Sequence, residues 1–598
     1  MRARSILVTG VGSALLSIGL VGPASAAPAR STVRHMIVVA TEGRLGSAEV
    51  AARRAGGHVT RTFASINGFA VTIDSDRVGD LYASGTVQAV TPDGSMQSMA
   101  VDPALGYDPA STTSLSAVSQ ITGAQAMWNA GYTGKGVDVA LIDTGVSTVA
   151  GLNRTGKVVN GPDLSFDNTE PTLLSKDGFG HGTHMAGIIA GSDVASGALT
   201  SCAKCLGKST YTDTTKFEGI APDARIINVK VGAYDGAADV SQVIAGIDWV
   251  VQHRKDAGFN IRVINLSFGT DATQAAALDP LIHAAETAWR NGIVVVAAAG
   301  NDGLGTRSLA DPALSPMVIA VGATNPRGTL TVTDDYIPLF AQHGNSARTV
   351  DVVAPGVSLI SLRVPGGFVD QNVTTGKVGT RFQQATGTSQ STAVVSGLTA
   401  LLLSKFPTAT PDQIKAFLKL NATPVLLSEG SGAGAQLLNN WYSGSGSANV
   451  TAAALLPILP AALTASYSGS GLGTLEASRG TYHVSNGTVS LTGEKDIFGK
   501  AWVPATMSAS TIACATWTGG IWNGTRWTGD TWSAGSWKNA TWTANDWSGA
   551  RWSGARWSAM VWDGARWSGA RWSGARWSAG TWSGARWSGA RWSDNAWS

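Results

Sequence analysis

Four polar residues, far apart in the chain, stand where an apolar run ends or begins. Asp143 directly follows Val139-Ala140-Leu141-Ile142. His181 opens a predicted helix in His181-Gly182-Thr183-His184-Met185-Ala186-Gly187, and Ser389 opens another in Gly387-Thr388-Ser389-Gln390-Ser391-Thr392-Ala393. Asn301 ends the run from Val294 to Gly300. Together these are the parts of an acyl-transfer site. A Ser hydroxyl is a weak nucleophile until a His takes its proton, and a buried Asp holds that His in the right tautomer. A side-chain amide such as that of Asn301, with the Ser389 N–H at a helix N-terminus, can hold the oxyanion that develops. Taken singly, each has a plainer role, because an Asp after a strand or a Ser at a helix start is more often a helix cap. His184 follows His181 by three positions, but no Glu-x-x-His and no carboxylate completes a metal site, so His184 is expected to be structural.

Such residues need a scaffold that brings them to one place. Residues 115–460 alternate buried-strand runs with helical patterns. The runs predict strands at Val137–Ile142, Arg225–Val231, Val263–Leu266, Ile293–Ala299, Val318–Val321 and Val350–Val353. Helices are predicted near Ala124–Ala130, His181–Ala190, Ser241–Lys255, Ala275–Arg290, Ser389–Ser404 and Pro411–Leu420. Alternation of this kind implies an α/β fold, a parallel sheet with helices on both faces. Such sheets carry their sites at the carboxyl ends of the strands. Ahead of it, residues 27–100 read as a small α+β unit in the order βαββαβ, with a hairpin signal at Asn67-Gly68.

The ordered blocks resemble the subtilase family, the subtilisin-like serine endopeptidases, over residues 120–460. Besides Asp143-Thr144-Gly145, His181-Gly182-Thr183-His184 and Gly387-Thr388-Ser389, the matching stretches are Ile264-Asn265-Leu266-Ser267-Phe268-Gly269, Ala298-Ala299-Gly300-Asn301 and Val353-Ala354-Pro355-Gly356. The resemblance implies that Asp143 orients, His181 is the general base, Ser389 attacks and Asn301 is the oxyanion donor. The order Asp…His…Ser is that of subtilisin, and it excludes an α/β-hydrolase, which runs Ser…Asp…His. By the same likeness Ser267, Phe268 and Gly269 pair with the backbone of a peptide substrate. Ala298, Ala299 and Gly300 form a small uncharged wall, suited to an apolar residue before the cut. The chain departs from the family at Ala393, where Pro is usual, and at Gln390 and Ser391, where Met and Ala are usual. The resemblance makes calcium a family option but matches no site for it residue by residue, and the sequence indicates no metal or other cofactor. It also makes the βαββαβ unit an inhibitory, ferredoxin-like propeptide, cleaved somewhere in Asp93–Ser114.

The 598 residues exceed what one hydrophobic core organises. Only 14% are charged while 44% are apolar, which excludes a highly charged disordered chain. Arg2 and Arg4, an apolar stretch from Ser5 to Val21 and Ala24-Ser25-Ala26 read as a secretory signal, without adjacent arginines and too short and Gly/Ser-rich for a membrane span. Cys202 and Cys205 lie in a loop-like stretch and are candidates for a local disulfide; too few ligands accompany them for zinc. From Trp517 to Trp597 a Trp recurs at every fifth position, and this tail holds eight Arg and one Lys against four Asp. The basic charge therefore belongs to the tail, and the body has no nucleic-acid signature. A period of five fits neither a one-faced helix nor a one-faced strand, but suits a β-solenoid that turns a corner every five residues, with Trp lining one position per side.

The expected domains are a signal peptide at 1–26, a propeptide at 27–110, a peptidase domain at 111–460, a linker or small Gly/Ser-rich β module at 461–516 and the repeat tail at 517–598. The expected protein is a secreted, self-processed peptidase acting on protein or peptide substrates. Its tail would hold it to a cell wall or glycan surface. The alternative is a non-catalytic surface-binding protein on a protease scaffold, against which the intact Asp143, His181, Ser389 and Asn301 argue.

Overall fold

The computed structural model describes residues 33–63, 67–92, 104–168, 170–194, 210–303, 308–425, 427–428, 436–437, 440–462, 469–484 and 490–527. The signal-like segment 1–26, Cys202 and Cys205, and the tail beyond Trp527 lie outside them. The chain divides into two units between Gln97 and Ser98.

The first unit has the order read from the sequence: β1 (Val33–Ala40), α1 (Leu45–Arg54), β2 (His58–Phe63), β3 (Gly68–Asp74), α2 (Val78–Ala83) and β4 (Val87–Pro92). Its antiparallel sheet runs β2-β3-β1-β4. Strict alternation puts Met36, Val38 and Ala40 on the same face as Phe69, Val71 and Ile73. Ala48 and Ala52 of α1 and Leu81 of α2 complete a small core of its own. Asn67 takes a left-handed conformation (φ 49°) and donates its side-chain amide to the Ala40 carbonyl at 2.8 Å; the expected hairpin forms, but Gly68 already belongs to β3, paired with Phe63, so Asn67-Gly68 is not its two-residue turn.

The second unit opens with α3 (Leu115–Ile121) and α4 (Ala124–Asn129) and is built on a seven-stranded, wholly parallel sheet. Its strands are β5 (Asp138–Asp143), β6 (Val158–Asp163), β7 (Arg225–Lys230), β8 (Ile261–Leu266), β9 (Val294–Ala298), β10 (Ile319–Thr324) and, past the short outlying β11 (Tyr336–Ile337), β12 (Val352–Pro355). The spatial order is β12-β10-β9-β8-β5-β7-β6. Strand succession therefore reverses at the β5/β8 boundary, where the carboxyl ends open a crevice. Every residue of β5, β9 and β10 is buried, so both faces are covered. α5 (His181–Ala190) packs against α9 (Thr388–Lys405), and α6 (Val240–His253) packs against α7 (Pro280–Arg290); α8 (Phe368–Asn372) is a short helix of five residues. α9 is buried on every side from Thr388 to Leu403, the mark of a helix inside the core.

The expected strands and helices form, and among the elements that escaped the pattern two are informative. β6 (Val-Val-Asn-Gly-Pro-Asp) carries the turn residues Asn160-Gly161-Pro162; it is tolerated as a strand because it lies at the sheet edge, paired only to β7 with an irregular register. α3 is short and capped by Ser114, which accepts from the Ala117 N–H at 3.1 Å.

The C-terminal boundaries also differ from expectation. Residues 104–110, assigned from sequence to the N-terminal module, belong to the second unit: Leu105 and Tyr107 are buried there, and Tyr107 meets Phe382 edge-on at 5.1 Å. The stretch 461–516 is not a β module. Its described residues form the helices Leu475–Arg479 and Pro504–Ile512 and no strand, and Leu475, Val484, Ile497, Trp502 and Met507 join the core of the second unit. Arg479 is fully buried and bonds Asp239, the cap of α6, at 2.7 Å. The Gly/Ser content suggested a linker or β module, whereas these residues pack into the core of the second unit.

Candidate active site

Glycines decide how His181 is presented. Gly180 precedes α5 in a left-handed conformation (φ 118°) that L side chains rarely adopt. At Gly182 a Cβ would stand 2.1 Å from the Gly145 carbonyl oxygen and 3.1 Å from Asp143 Oδ1. The first turn of α5 is thus seated on the loop that follows Asp143. His181 and Asp143 are both fully buried, and His181 Nδ1 lies 2.8 and 3.0 Å from the two Asp143 oxygens. Oδ1 also accepts from the Thr144 N–H at 2.7 Å. With the carboxylate as acceptor, Nδ1 carries the proton and Nε2 is the basic nitrogen of the ring.

Sequence reasoning passed over Asp177. Its buried carboxylate accepts from the N–H groups of Gly180 at 2.6 Å, Thr183 at 2.7 Å and Phe179 at 3.1 Å, and from the Thr144 hydroxyl at 2.8 Å. Burial pushes its carboxyl above the ordinary range, against the pull of these donors. The signal was present: an Asp four residues before a His, with two glycines between, is a helix entry whose N–H groups need an acceptor. His184 is structural, as expected. Its Nε2 lies 3.1 Å from the Gln383 carbonyl, and burial pushes it down to about 3, so it stays neutral.

Ser389 stands in the first turn of α9. Its Oγ is 3.4 Å from the Ser267 carbonyl, while Ser267 Oγ donates to the Ser389 carbonyl at 3.1 Å. Asn265 of β8 extends this tie, donating to Ser267 Oγ at 3.0 Å and accepting from Ser396 Oγ at 2.9 Å. The end of β8 is thereby clamped to α9. Asn301 accepts from the Thr388 N–H at 2.8 Å and the Thr388 hydroxyl at 3.1 Å. Gly356 lets α9 begin here: a Cβ would stand 2.2 Å from Ser391 Oγ and 2.8 Å from the Gly387 carbonyl. Ala393 lies buried within the helix, in its second turn.

The residues expected to line a substrate cleft lie together. Phe268, Ala298 and Ala299 are buried. Cβ atoms built on Gly269 and Gly300 would stand 2.7 and 3.2 Å from Ala310 Cβ. Gly300 is left-handed (φ 108°), and a Cβ there would also meet Gln342 Oε1 at 1.8 Å, so no other residue fits. Among the described residues no group of three or more His, Cys, Asp or Glu side chains is arranged to hold a metal.

The structure therefore joins Asp143 directly to His181, and Ser389 to Ser267 and, through Thr388, to Asn301. Asp143 ends β5 and Ser267 follows β8, its neighbour in the sheet, so both clusters belong to the carboxyl-end crevice at the strand reversal. An oriented imidazole, a hydroxyl and an amide in one crevice can activate a nucleophile and stabilise an oxyanion. The family profile and the sequence relatives point the same way. The profile of the subtilase family matches residues 134–442. Serine protease AprX of Bacillus subtilis is 35% identical over 293 residues, 48% of this chain and 61% of that protein. Subtilisin E of Bacillus subtilis is 33% identical over 402 residues, 67% of this chain and 84% of that protein. Among solved structures, a cold adapted subtilisin-like serine proteinase is 27% identical, covering 53% of this chain and 88% of that one with a TM-score of 0.35. The chain belongs to the subtilase family and is a serine-type endopeptidase.

Proposed function

We propose that the chain is made as an exported precursor and matures into an endopeptidase working through Asp143, His181 and Ser389. His181 Nε2 takes the Ser389 proton as Oγ attacks the scissile carbonyl, and Asp143 stabilises the imidazolium that forms. The Asn301 amide and the Ser389 N–H receive the oxyanion. His181 then protonates the leaving amine; water, deprotonated by the same base, attacks the acyl carbonyl, the ester bond to Ser389 breaks, and His181 returns the proton to Oγ as the acid product leaves. The observation that carries this reading is the buried Asp143–His181 hydrogen bond of 2.8 Å at the same strand ends as the α9 serine. Ser267, Phe268 and Gly269 are assigned to the peptide backbone and Ala298, Ala299 and Gly300 to the side chain before the cut, favouring an apolar one.

In this reading residues 1–26 direct export and the βαββαβ unit is the inhibitory propeptide. Processing falls within 93–103, because 104–114 are built into the second unit. The Trp repeat beyond the described residues serves attachment to a cell wall or glycan surface, Trp being suited to stacking on sugar and Arg to the ring faces of Trp. The test is the Ser389→Ala variant of the full chain, purified free of other proteases. It should hydrolyse no peptide substrate beyond a residual ~10³–10⁴ over water and remain an uncut precursor that active wild type trims in trans. Maturation of the variant at the wild-type position would overturn self-processing through this serine.

A further inference from the structure

We propose that Asp177 is a positioning residue for the catalytic base, a single carboxylate from which both Asp143 and His181 are hung. The inference rests on the assignment of His181 as base. One arm of the link runs to the helix: the N–H groups of Gly180 and Thr183, which donate to Asp177 at 2.6 and 2.7 Å, flank His181 on either side along the backbone. The other arm runs to the strand end. The Thr144 hydroxyl donates to Asp177 Oδ1 at 2.8 Å and accepts from the Gly182 N–H at 2.9 Å, while the Thr144 N–H donates to Asp143 Oδ1 at 2.7 Å. A helix cap needs only the first arm. The second fixes the residue after Asp143 to the residue after His181, and so sets the distance between their side chains.

The packing leaves no slack that could substitute for this link. A Cβ at Gly145 would stand 2.7 Å from the Lys176 carbonyl and 3.0 Å from the Asp177 N, so the segment bearing Asp177 lies directly on the Asp143 loop. Asp177 is 2% exposed, and among the described residues no Lys, Arg or His forms an ion pair with it. Its charge is balanced by N–H and O–H dipoles alone, including the N-terminal end of α5. Those donors converge on both oxygens. An amide cannot replace the carboxylate, because its NH₂ end would face an N–H or O–H donor.

The test is Asp177→Asn in the full chain, matured in trans by wild type where its own processing is slow. A displacement of the base on the ångström scale lowers turnover about 10²-fold. Asp177→Asn should therefore lower kcat by about that factor with KM within a few-fold, and should shift or abolish the low-field proton NMR signal of the His181 Nδ1–H. Thr144→Val keeps the cap and cuts only the second arm. It should lower kcat roughly tenfold or more, and Thr144→Ser, which restores the hydroxyl, should recover it. If Asp177→Asn does not fold, the Thr144 pair decides. Unchanged kcat in folded Asp177→Asn, or Thr144→Val as active as Thr144→Ser, overturns the proposal. Hydrolysis surviving His181→Ala would instead overturn the base assignment itself, whatever Asp177 does.

Discussion

Asn301 meets the start of α9 through its oxygen. The Thr388 N–H can only donate, so Oδ1 is the acceptor at 2.8 Å and Nδ2 is the donating end of the amide. Its orientation is thus set by the helix that carries the nucleophile, and donor and nucleophile move as one body. In the proposed mechanism Nδ2 bonds the oxyanion of the tetrahedral intermediate more strongly than the ground-state carbonyl. Asn301→Ala should then lower kcat about 10²–10³-fold with little change in KM, the range known for loss of one oxyanion donor, subtilisin's own included. Steady-state kinetics on a peptide substrate check this; an effect mainly on KM would make Asn301 a binding residue instead. Residue types and spacing made Asp143, His181, Ser389 and Asn301 legible, since each sits at a strand end or helix start. The helix-entry spacing of Asp177 was also present in the sequence, but its tie to the Asp143 loop was not, because those donors converge only once Gly145 and Gly182 let two backbones touch.

Pentad repeats look different once the first of them are seen folded. Trp517–Thr518, Ile521–Trp522 and Thr525–Arg526 form a three-stranded antiparallel meander. Two-residue turns join the strands, Gly519-Gly520 and Asn523-Gly524, with φ of 55°, 80°, 47° and 72°, as tight hairpins require. Two-residue strands alternating with two-residue turns put Trp517, Trp522 and Trp527 on one buried side while Thr518, Ile521 and Arg526 are exposed. That side lies on α6: Trp517 Nε1 donates to the Ala245 carbonyl and Trp522 Nε1 to Asp248, each at 2.9 Å. The boundary at 517 drawn from the repeat therefore separates a folded meander from the helix that it packs on. Deleting 528–598 should leave peptide hydrolysis within a few-fold of full length. Deleting 517–598 removes three buried indoles, and loss of even one buried Trp typically costs about 3–5 kcal/mol. Melting temperature and soluble yield of the two truncations, compared side by side, check the boundary; equal stability would make the meander dispensable.

Taken as a whole, the molecule reads most clearly where local pattern and tertiary role agree. The parallel sheet was legible because strands buried on both faces are continuous apolar runs, and six of the seven were located to within three residues. The sixth, β12, was displaced by two residues, and β6 was hidden by turn residues that only an edge strand accepts. The extension after 460 was opaque because its structure is set by long-range partners, Arg479 on Asp239 and Trp522 on Asp248, and not by any periodicity of its own. What unites these parts is the claim that one serine, at the start of one buried helix, does the chemistry. The most direct measurement is to treat the mature protein with a fluorophosphonate and map the covalent adduct by peptide mass spectrometry. The account predicts a single adduct on Ser389, formed in step with loss of hydrolysis and suppressed by His181→Ala. An adduct on another serine, or full labelling of Ser389 with hydrolysis intact, would contradict it.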